Sequence, residues 1–186
     1  MPDRFPETTL RTERLILRPF GGADIEDVQR GCADEATQRW IPLTTPYTLA
    51  DAGSWCTTRA HALRESGDGI HFAVVDAGTD RLLANVGLRH TDWETSTTEI
   101  GYWVSPWARG RGHAAEAVRI VAGWVLGEQR FERLELKAAD GNAASQRVAV
   151  KAGFQREGLL RNAGVTHTGR VDLVLFARVR QDLGGS

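Results

Sequence analysis

Apolar and polar positions along this chain switch between a period of two residues and a period of three to four, and the switches mark strands and helices. In ERLILRPF (13–20), Leu15 and Leu17 alternate with Ile16 and Arg18, which predicts a first strand stopped by Pro19. Asp24 is placed to cap a helix over Ile25–Cys32, and Thr48, after the turn residues of TTPYT, to cap a second helix from about Leu49 to Glu65. HFAVVD (71–76) and LLANVGLRH (82–90) read as strands divided by the turn signal AGTD, and TTEIGYWV (97–104) adds another. Strands that follow one another with no helix between them predict an antiparallel meander. Then the period changes. Ala114, Ala117, Val118, Val121, Ala122 and Val125 fall on one face of a helix. RLELKA (133–138) is a short strand, and NAASQRVAVKAG (142–153) a helix capped by Asn142 and ended by Gly153. VDLVLFARV (171–179) closes the pattern as a strand. The interleaving of strands with helices predicts an α/β (α+β) fold.

At 186 residues the chain is long enough for one domain with a real core, since domains cluster near ~100–150 residues, and 1–186 is expected to fold as one unit. Its 23 Lys and Arg against 24 Asp and Glu give a net charge of −1, without the basic excess of most nucleic-acid binders. No stretch approaches the ~18 apolar residues of a membrane span, and the N-terminus lacks a basic-then-apolar leader. The expected setting is the cytoplasm, with no nucleic acid or membrane as partner. Cys32 and Cys56 fit neither a disulfide framework nor a metal motif and read as buried thiols. His61, His71, His90 and His167 show no metal-ligand spacing, so no metal is expected.

The stretch with evident chemistry is SPWARGRGHAAEAV (105–118), a glycine-rich loop feeding a helix. The first N–H groups of a helix carry about half a positive charge and bind anions when the backbone can come close. Gly110 and Gly112 remove the Cβ atoms that would block that approach, Ala114 keeps the first turn slim, and Arg109, Arg111 and His113 place charge around the rim. A phosphate or diphosphate is the natural guest; a solvent-exposed connecting turn is the bland alternative. The loop lacks the Gly-Lys-Ser/Thr ending of nucleotide hydrolases and the three-glycine spacing of dinucleotide folds.

Arg109-x-x-Gly112-x-Ala114, after GYWV and before a long helix, resembles the diphosphate-binding motif of the GNAT superfamily of acetyl-coenzyme A-dependent acetyltransferases. RTERLILRPF at the start, EIGYWV before the loop, Asn142-x-x-Ser145 and KAGFQREGLLR (151–161) are similar to the RimJ/RimL-type branch, which acetylates ribosomal-protein N-termini. The likeness spans nearly the whole chain. It implies a central, mixed, mostly antiparallel twisted sheet, splayed between its fourth and fifth strands and flanked by helices on both faces. Acetyl-coenzyme A would lie in the splay as co-substrate, its diphosphate on the loop 109–114.

The coenzyme A-binding set implied by the resemblance is Trp103, Val104, Arg109, Gly110, Arg111, Gly112, His113, Ala114, Asn142 and Ser145. Asn142 has two readings, helix cap and pantetheine contact. Glu99, at the head of strand 97–104, matches the position where family members often carry a base; alternatively it is a surface carboxylate, and near its ordinary pKa of ~4.3 it needs burial to raise it. The backbone N–H near Val104 is the expected donor to the thioester carbonyl. Ser145 stands where many superfamily members carry a tyrosine and matches the serine of the RimJ/RimL-type pattern; it is expected to protonate or simply orient the departing thiol, with a polar residue on a helix surface as the alternative. Trp40 and Glu99 are the candidates for the acceptor side, with Trp55, Trp93 and Trp107 weighed beside them and tryptophan's usual place in a core as the alternative. The ribosomal-protein enzymes would carry a second glutamate about seven residues beyond the position of Glu157, yet no carboxylate occurs from 158 to 171 and Gly164 stands near that place. The expected activity is acetyl transfer to a primary amine, foremost a protein or peptide N-terminal α-amine. The alternatives are a small-molecule amine, or a non-catalytic acyl-coenzyme A-binding module. Pairing of two chains as a homodimer is left open.

Overall fold

The computed structural model describes residues 3–184. Two edge strands, β1 (Leu10–Arg11) and β2 (Leu15–Arg18), lead to α1 (Ile25–Ala33) and the short α2 (Glu35–Gln38). α3 (Leu49–Ser54) and α4 (Ala60–Glu65) are joined by a wide turn over Trp55–Arg59, so that one continuous helix runs from 49 to 65 as the pattern predicts. β3 (Ile70–Asp76), β4 (Leu82–Asp92) and β5 (Thr97–Val104) form the antiparallel meander. α5 (His113–Gly123), β6 (Arg133–Ala139), α6 (Ala143–Lys151), β7 (Gln155–Thr166) and β8 (Gly169–Val179) complete the fold.

The eight strands make one sheet in the order β1-β2-β3-β4-β5-β6-β8-β7, and its parallel junction is β5 with β6. Side chains of alternate parity fill two separate cores. Phe72, Val74, Val86, Leu88 and Ile100 pack beneath Ala117, Val118, Val121 and Val125 of the α5 segment. On the opposite face Ala73 and Val75 meet Val28 of α1 and Ala52, Cys56 and Ala60 of the helix over 49–65. Both faces of the central strands are therefore covered, as in a sheet flanked on two sides. Cys32 and Cys56 are buried free thiols, and burial pushes both up to about 12.

The splay lies between the strands at 97–104 and 133–138, as expected; these become the fifth and sixth because β1 adds a two-residue strand ahead of the one read as first. Two local readings change. β7 is a long strand that the sequence pattern does not announce. Asp24 precedes α1 but does not cap it through its side chain; its buried carboxylate instead accepts from Arg18 Nη1 and Nη2, at 2.9 and 3.0 Å, and from the Gly21 N–H. A bidentate guanidinium outcompetes a single helix N–H for a carboxylate. Thr48 does cap α3, in a reciprocal box with Asp51.

Candidate active site

The opening between β5 and β6 follows from where their ladder stops. Thr97, Thr98 and Glu99 pair with Arg133, Leu134 and Glu135, and beyond Glu99 the two strands share no register. The Ser105 N–H donates to Leu83 O at 2.8 Å, and Ser105 continues the regular β4–β5 register, so the odd-numbered residues of β5 direct their backbone groups to β4. Ile100, Tyr102 and Val104 therefore direct theirs away from β4; the Ile100 N–H still closes the last rung with Glu135 of β6, and beyond it the Tyr102 and Val104 groups face the open side. An unpaired strand edge binds an extended chain as an added strand. Trp103 does not share this role: its backbone faces Asn85 of β4, and its indole packs against Gly31 of α1.

At the end of that edge, Gly110 and Gly112 have φ of +75° and +81°, a region that L side chains rarely adopt. A methyl built on Gly110 meets no atom within 4 Å, and on Gly112 only Arg14 Nη2 at 3.9 Å, so the space over the loop is open. Gly112 is the N-cap of α5, and the free N–H groups of the first turn lie beneath this space. The charged rim is thinner than the sequence implies. Arg109 donates to Asp34 Oδ2 at 2.5 Å and to Thr37 Oγ1 at 2.9 Å, which ties the loop to the cap of α2. His113 is buried, with Nδ1 lacking a hydrogen-bond partner; burial and the Arg14 charge lower its pKa against the raising effect of the Ala108 backbone, which disfavours its cationic form. Arg111 remains exposed, its carbonyl accepting from Arg14 while Arg14 pairs with Glu116 of α5.

Glu99 points to the other face of β5, the side of α1 and α3. It is only 6% exposed, between Arg89 Nη2 at 2.6 Å from Oε1 and Lys137 Nζ at 2.9 Å from Oε2, with His90 Nδ1 at 3.7 Å. Burial pushes its carboxyl up, but the Arg89 charge and the Lys137 hydrogen bond outweigh that, and the net shift is downward. The raised pKa that would strengthen it as a base is thus replaced by a lowered one, because both strands flanking β5 present a cation to it. Lys137 is raised in turn, desolvation being outweighed by Glu99 and Glu135.

Across the cleft, Asn142 caps α6 by accepting the Ser145 N–H at 3.1 Å, as the spacing predicts. Ser145 is met from β5 by Tyr102, whose Oη donates to Ser145 Oγ at 2.9 Å. Tyr102 is a site residue that motif reading passes over, since nothing in the helix spacing places a β5 side chain beside α6; the signal available was its position in EIGYWV at the unpaired end of the strand. Trp40 lies against Gly141, next to Asn142, at the mouth of the splay. Trp55 stands edge-on to His71 on the Glu99 side of the sheet, its Nε1 without a partner. Trp93 and Trp107 are structural: Trp93 packs with Phe5 and Phe131 and donates to Gly67 O, and Trp107 donates to Leu82 O. Among the described residues no cluster of His, Cys, Asp and Glu is arranged to hold a metal ion.

A strand edge that accepts an extended arm, running into a loop that accepts a diphosphate, suits a nucleotide thioester, and it places the fold among acyl-coenzyme A-dependent transferases. Residues 14–155 match the family model described as the acetyltransferase (GNAT) domain, and the chain belongs to that family. It is 35% identical over 156 residues to the probable N-acetyltransferase YjcK of Bacillus subtilis, covering 82% of this chain and 86% of the relative. It is 26% identical over 177 residues to the uncharacterized N-acetyltransferase p20 of Bacillus licheniformis, covering 95% and 99%. Among solved structures, Mycobacterium smegmatis RimJ in complex with CoA-disulfide superposes with a TM-score of 0.82 at 22% identity, covering 92% of this chain and 85% of that one. The protein is an acetyltransferase that uses acetyl-coenzyme A, and the open backbone at Gly110 and Gly112 fits that co-substrate.

Proposed function

We propose that this enzyme acetylates an N-terminal α-amine of a protein or peptide. The observation that carries the reading is Glu99, held ionised by Arg89 and Lys137 with its pKa below the ordinary carboxylate range. A carboxylate so placed is a weak base. It can accept a hydrogen bond from an incoming amine, directly or through water, but it cannot strip a lysine ammonium near pKa ~10.4. An α-amine near ~7.7–8.0 is already partly neutral at pH 7 and needs only orientation.

Acetyl-coenzyme A supplies the activated acetyl group; the chain's own residues divide the remaining tasks by face. Glu99 orients the amine from the α1 side. The Tyr102 and Val104 N–H groups, directed to the open edge, are placed to donate to the thioester carbonyl, and Ser145 serves the thiol from the α6 side. The loop backbone of 110–114, with Arg111, holds the diphosphate, and Asn142 keeps its cap while bordering the arm. Arg109 contributes by fixing the loop to α2 and not as a free cation. Gly164 gives no support to a dedicated ribosomal-protein acceptor, because a side chain there would meet Leu173 Cδ2 at 2.7 Å.

The test is a panel of short peptides that begin with Ser, Ala or Met and carry one internal lysine, assayed by thiol release from acetyl-coenzyme A at pH 7, with mass spectrometry to locate the acetyl group. Modification at the α-amine, absent from the same peptides with blocked N-termini, is the expected result. Preferential acetylation of lysine Nζ would overturn the reading.

A further inference from the structure

The bond between Tyr102 and Ser145 crosses the splay from sheet to helix. Tyr102 sits in the part of β5 that has already parted from β6, and its side chain lies on the face opposite Glu99, packed at the edge of the α5-side core. Its Oη reaches Ser145 Oγ at 2.9 Å, while the Ser145 backbone is fixed by Asn142 at 3.1 Å. A serine hydroxyl has one proton to give and two lone pairs to receive. With Tyr102 donating to one lone pair, the rotation of the hydroxyl is constrained, and the Ser145 proton is directed away from Tyr102. Among the described residues no side chain or carbonyl accepts that proton.

We infer that Tyr102 is a positioning residue for the leaving thiolate: it holds the Ser145 hydroxyl as a hydrogen-bond donor aimed at the sulfur of coenzyme A. This rests on the reading of Ser145 as the partner of the thiol. In the transfer, the amine nitrogen–carbon bond forms, the carbon–sulfur bond breaks, the electron pair remains on sulfur, and the proton lost by the nitrogen passes to solvent. Burial holds the Tyr102 phenol above its ordinary pKa, and the phenol and the serine are both weaker acids than a thiol near ~8.5. Neither therefore surrenders its proton to the thiolate at equilibrium. The pair stabilises the anion by a hydrogen bond that Tyr102 polarises, and solvent afterwards supplies the thiol proton.

The experiment reads the thiol itself and needs no acceptor. Coenzyme A is bound to the full chain, its thiolate is followed by ultraviolet absorbance as pH is raised, and wild type is compared with Tyr102→Phe, Ser145→Ala and the double variant. Desulfo-coenzyme A affinity is measured in parallel as a check on the cleft. The expected result is a bound thiol more acidic than the free one, raised by about one unit in Ser145→Ala through loss of one hydrogen bond to an anion, and by about half a unit in Tyr102→Phe. The double variant should move no further than Ser145→Ala alone, with desulfo-coenzyme A binding within about twofold throughout. A shift in Ser145→Ala with none in Tyr102→Phe would overturn the role of Tyr102 and leave that of Ser145 standing. No shift in either variant would remove Ser145, and Tyr102 with it. Additive shifts, or loss of desulfo-coenzyme A binding in Tyr102→Phe, would make Tyr102 an independent or merely structural residue and would also overturn the inference.

Discussion

Glu99 shows how a single carboxylate is shaped by what stands on the neighbouring strands. Arg89 faces it across β4 and Lys137 reaches it from β6, so the charge is desolvated but paired on both sides. Replacing it by Gln leaves Arg89 without its anion and Lys137 with Glu135 alone, at 3.3 Å. Because Arg89 is about half exposed and Lys137 partly so, the expected cost is about 1–2 kcal/mol, below that of a fully buried pair. The pH dependence has a definite sign. A folded-state pKa below the unfolded one contributes stability that is complete above the unfolded value near ~4.3 and is lost as pH falls through the lowered folded value. The gap in urea midpoint between wild type and Glu99→Gln should therefore be constant from pH 6 to 8 and close below about pH 4. A gap that instead widened in acid would mean that Glu99 is not held ionised. The sequence shows Glu99 as a residue at a strand head; it does not show Arg89 and Lys137 flanking it, because period-two patterning gives the face of a side chain but not its neighbours across the ladder.

At the level of elements, β5 is one strand with two environments. Its odd-numbered residues from Glu99 to Trp103 are bonded to β4, whereas the even-numbered Tyr102 and Val104 face the opening past the last β6 pair. Hydrogen exchange should reproduce that parity. In the free enzyme the amides of Tyr102 and Val104 should exchange well ahead of those of Gly101 and Trp103. Saturating coenzyme A should slow the even set by tenfold or more, while the odd set changes little. Uniform protection along β5 without coenzyme A would mean that the edge is not open. The meander, the two long helices, the caps at Thr48 and Asn142 and the glycine loop are legible in sequence because each is a local pattern. β7 is not, since its alternation is broken by irregularities between Arg156 and Gly158 and between Leu160 and Gly164, and most of its side chains are exposed. The hydroxyl pair and the Arg109 tether escape local reading for another reason. Tyr102 and Ser145 lie 43 residues apart, Arg109 and Asp34 lie 75 apart, and nothing nearby in sequence marks either partner.

For the whole molecule, the consequence is a sheet whose halves, β1–β5 and β6–β8, are hydrogen-bonded to each other through the short Thr97–Glu99 ladder. Packing around α5 and α6, the Lys137–Glu99 and Tyr102–Ser145 bonds and the contact of Trp40 with Gly141 hold the rest. A ligand that lies along the free edge and ends on the loop of α5 binds the folded chain only, and its binding free energy adds directly to the stability of the folded state. At 100 times its dissociation constant that addition is about 2.7 kcal/mol, which for a chain of this size corresponds to a rise in Tm of roughly 5–10 °C. Acetyl-coenzyme A and desulfo-coenzyme A should both produce it in a thermal unfolding scan, since arm and diphosphate are common to them. ATP shares the phosphate chain but has no arm for the β5 edge, and at equal concentration it should produce much less. If ATP matched the coenzymes, the loop would be a general polyphosphate site and the splay would contribute little to binding. If only acetyl-coenzyme A stabilised the fold, recognition would be centred on the thioester beside Tyr102 and Ser145. The expected pattern, equal shifts with and without the sulfur, assigns affinity to the edge and the loop and leaves Glu99, Tyr102 and Ser145 free to act on the reaction.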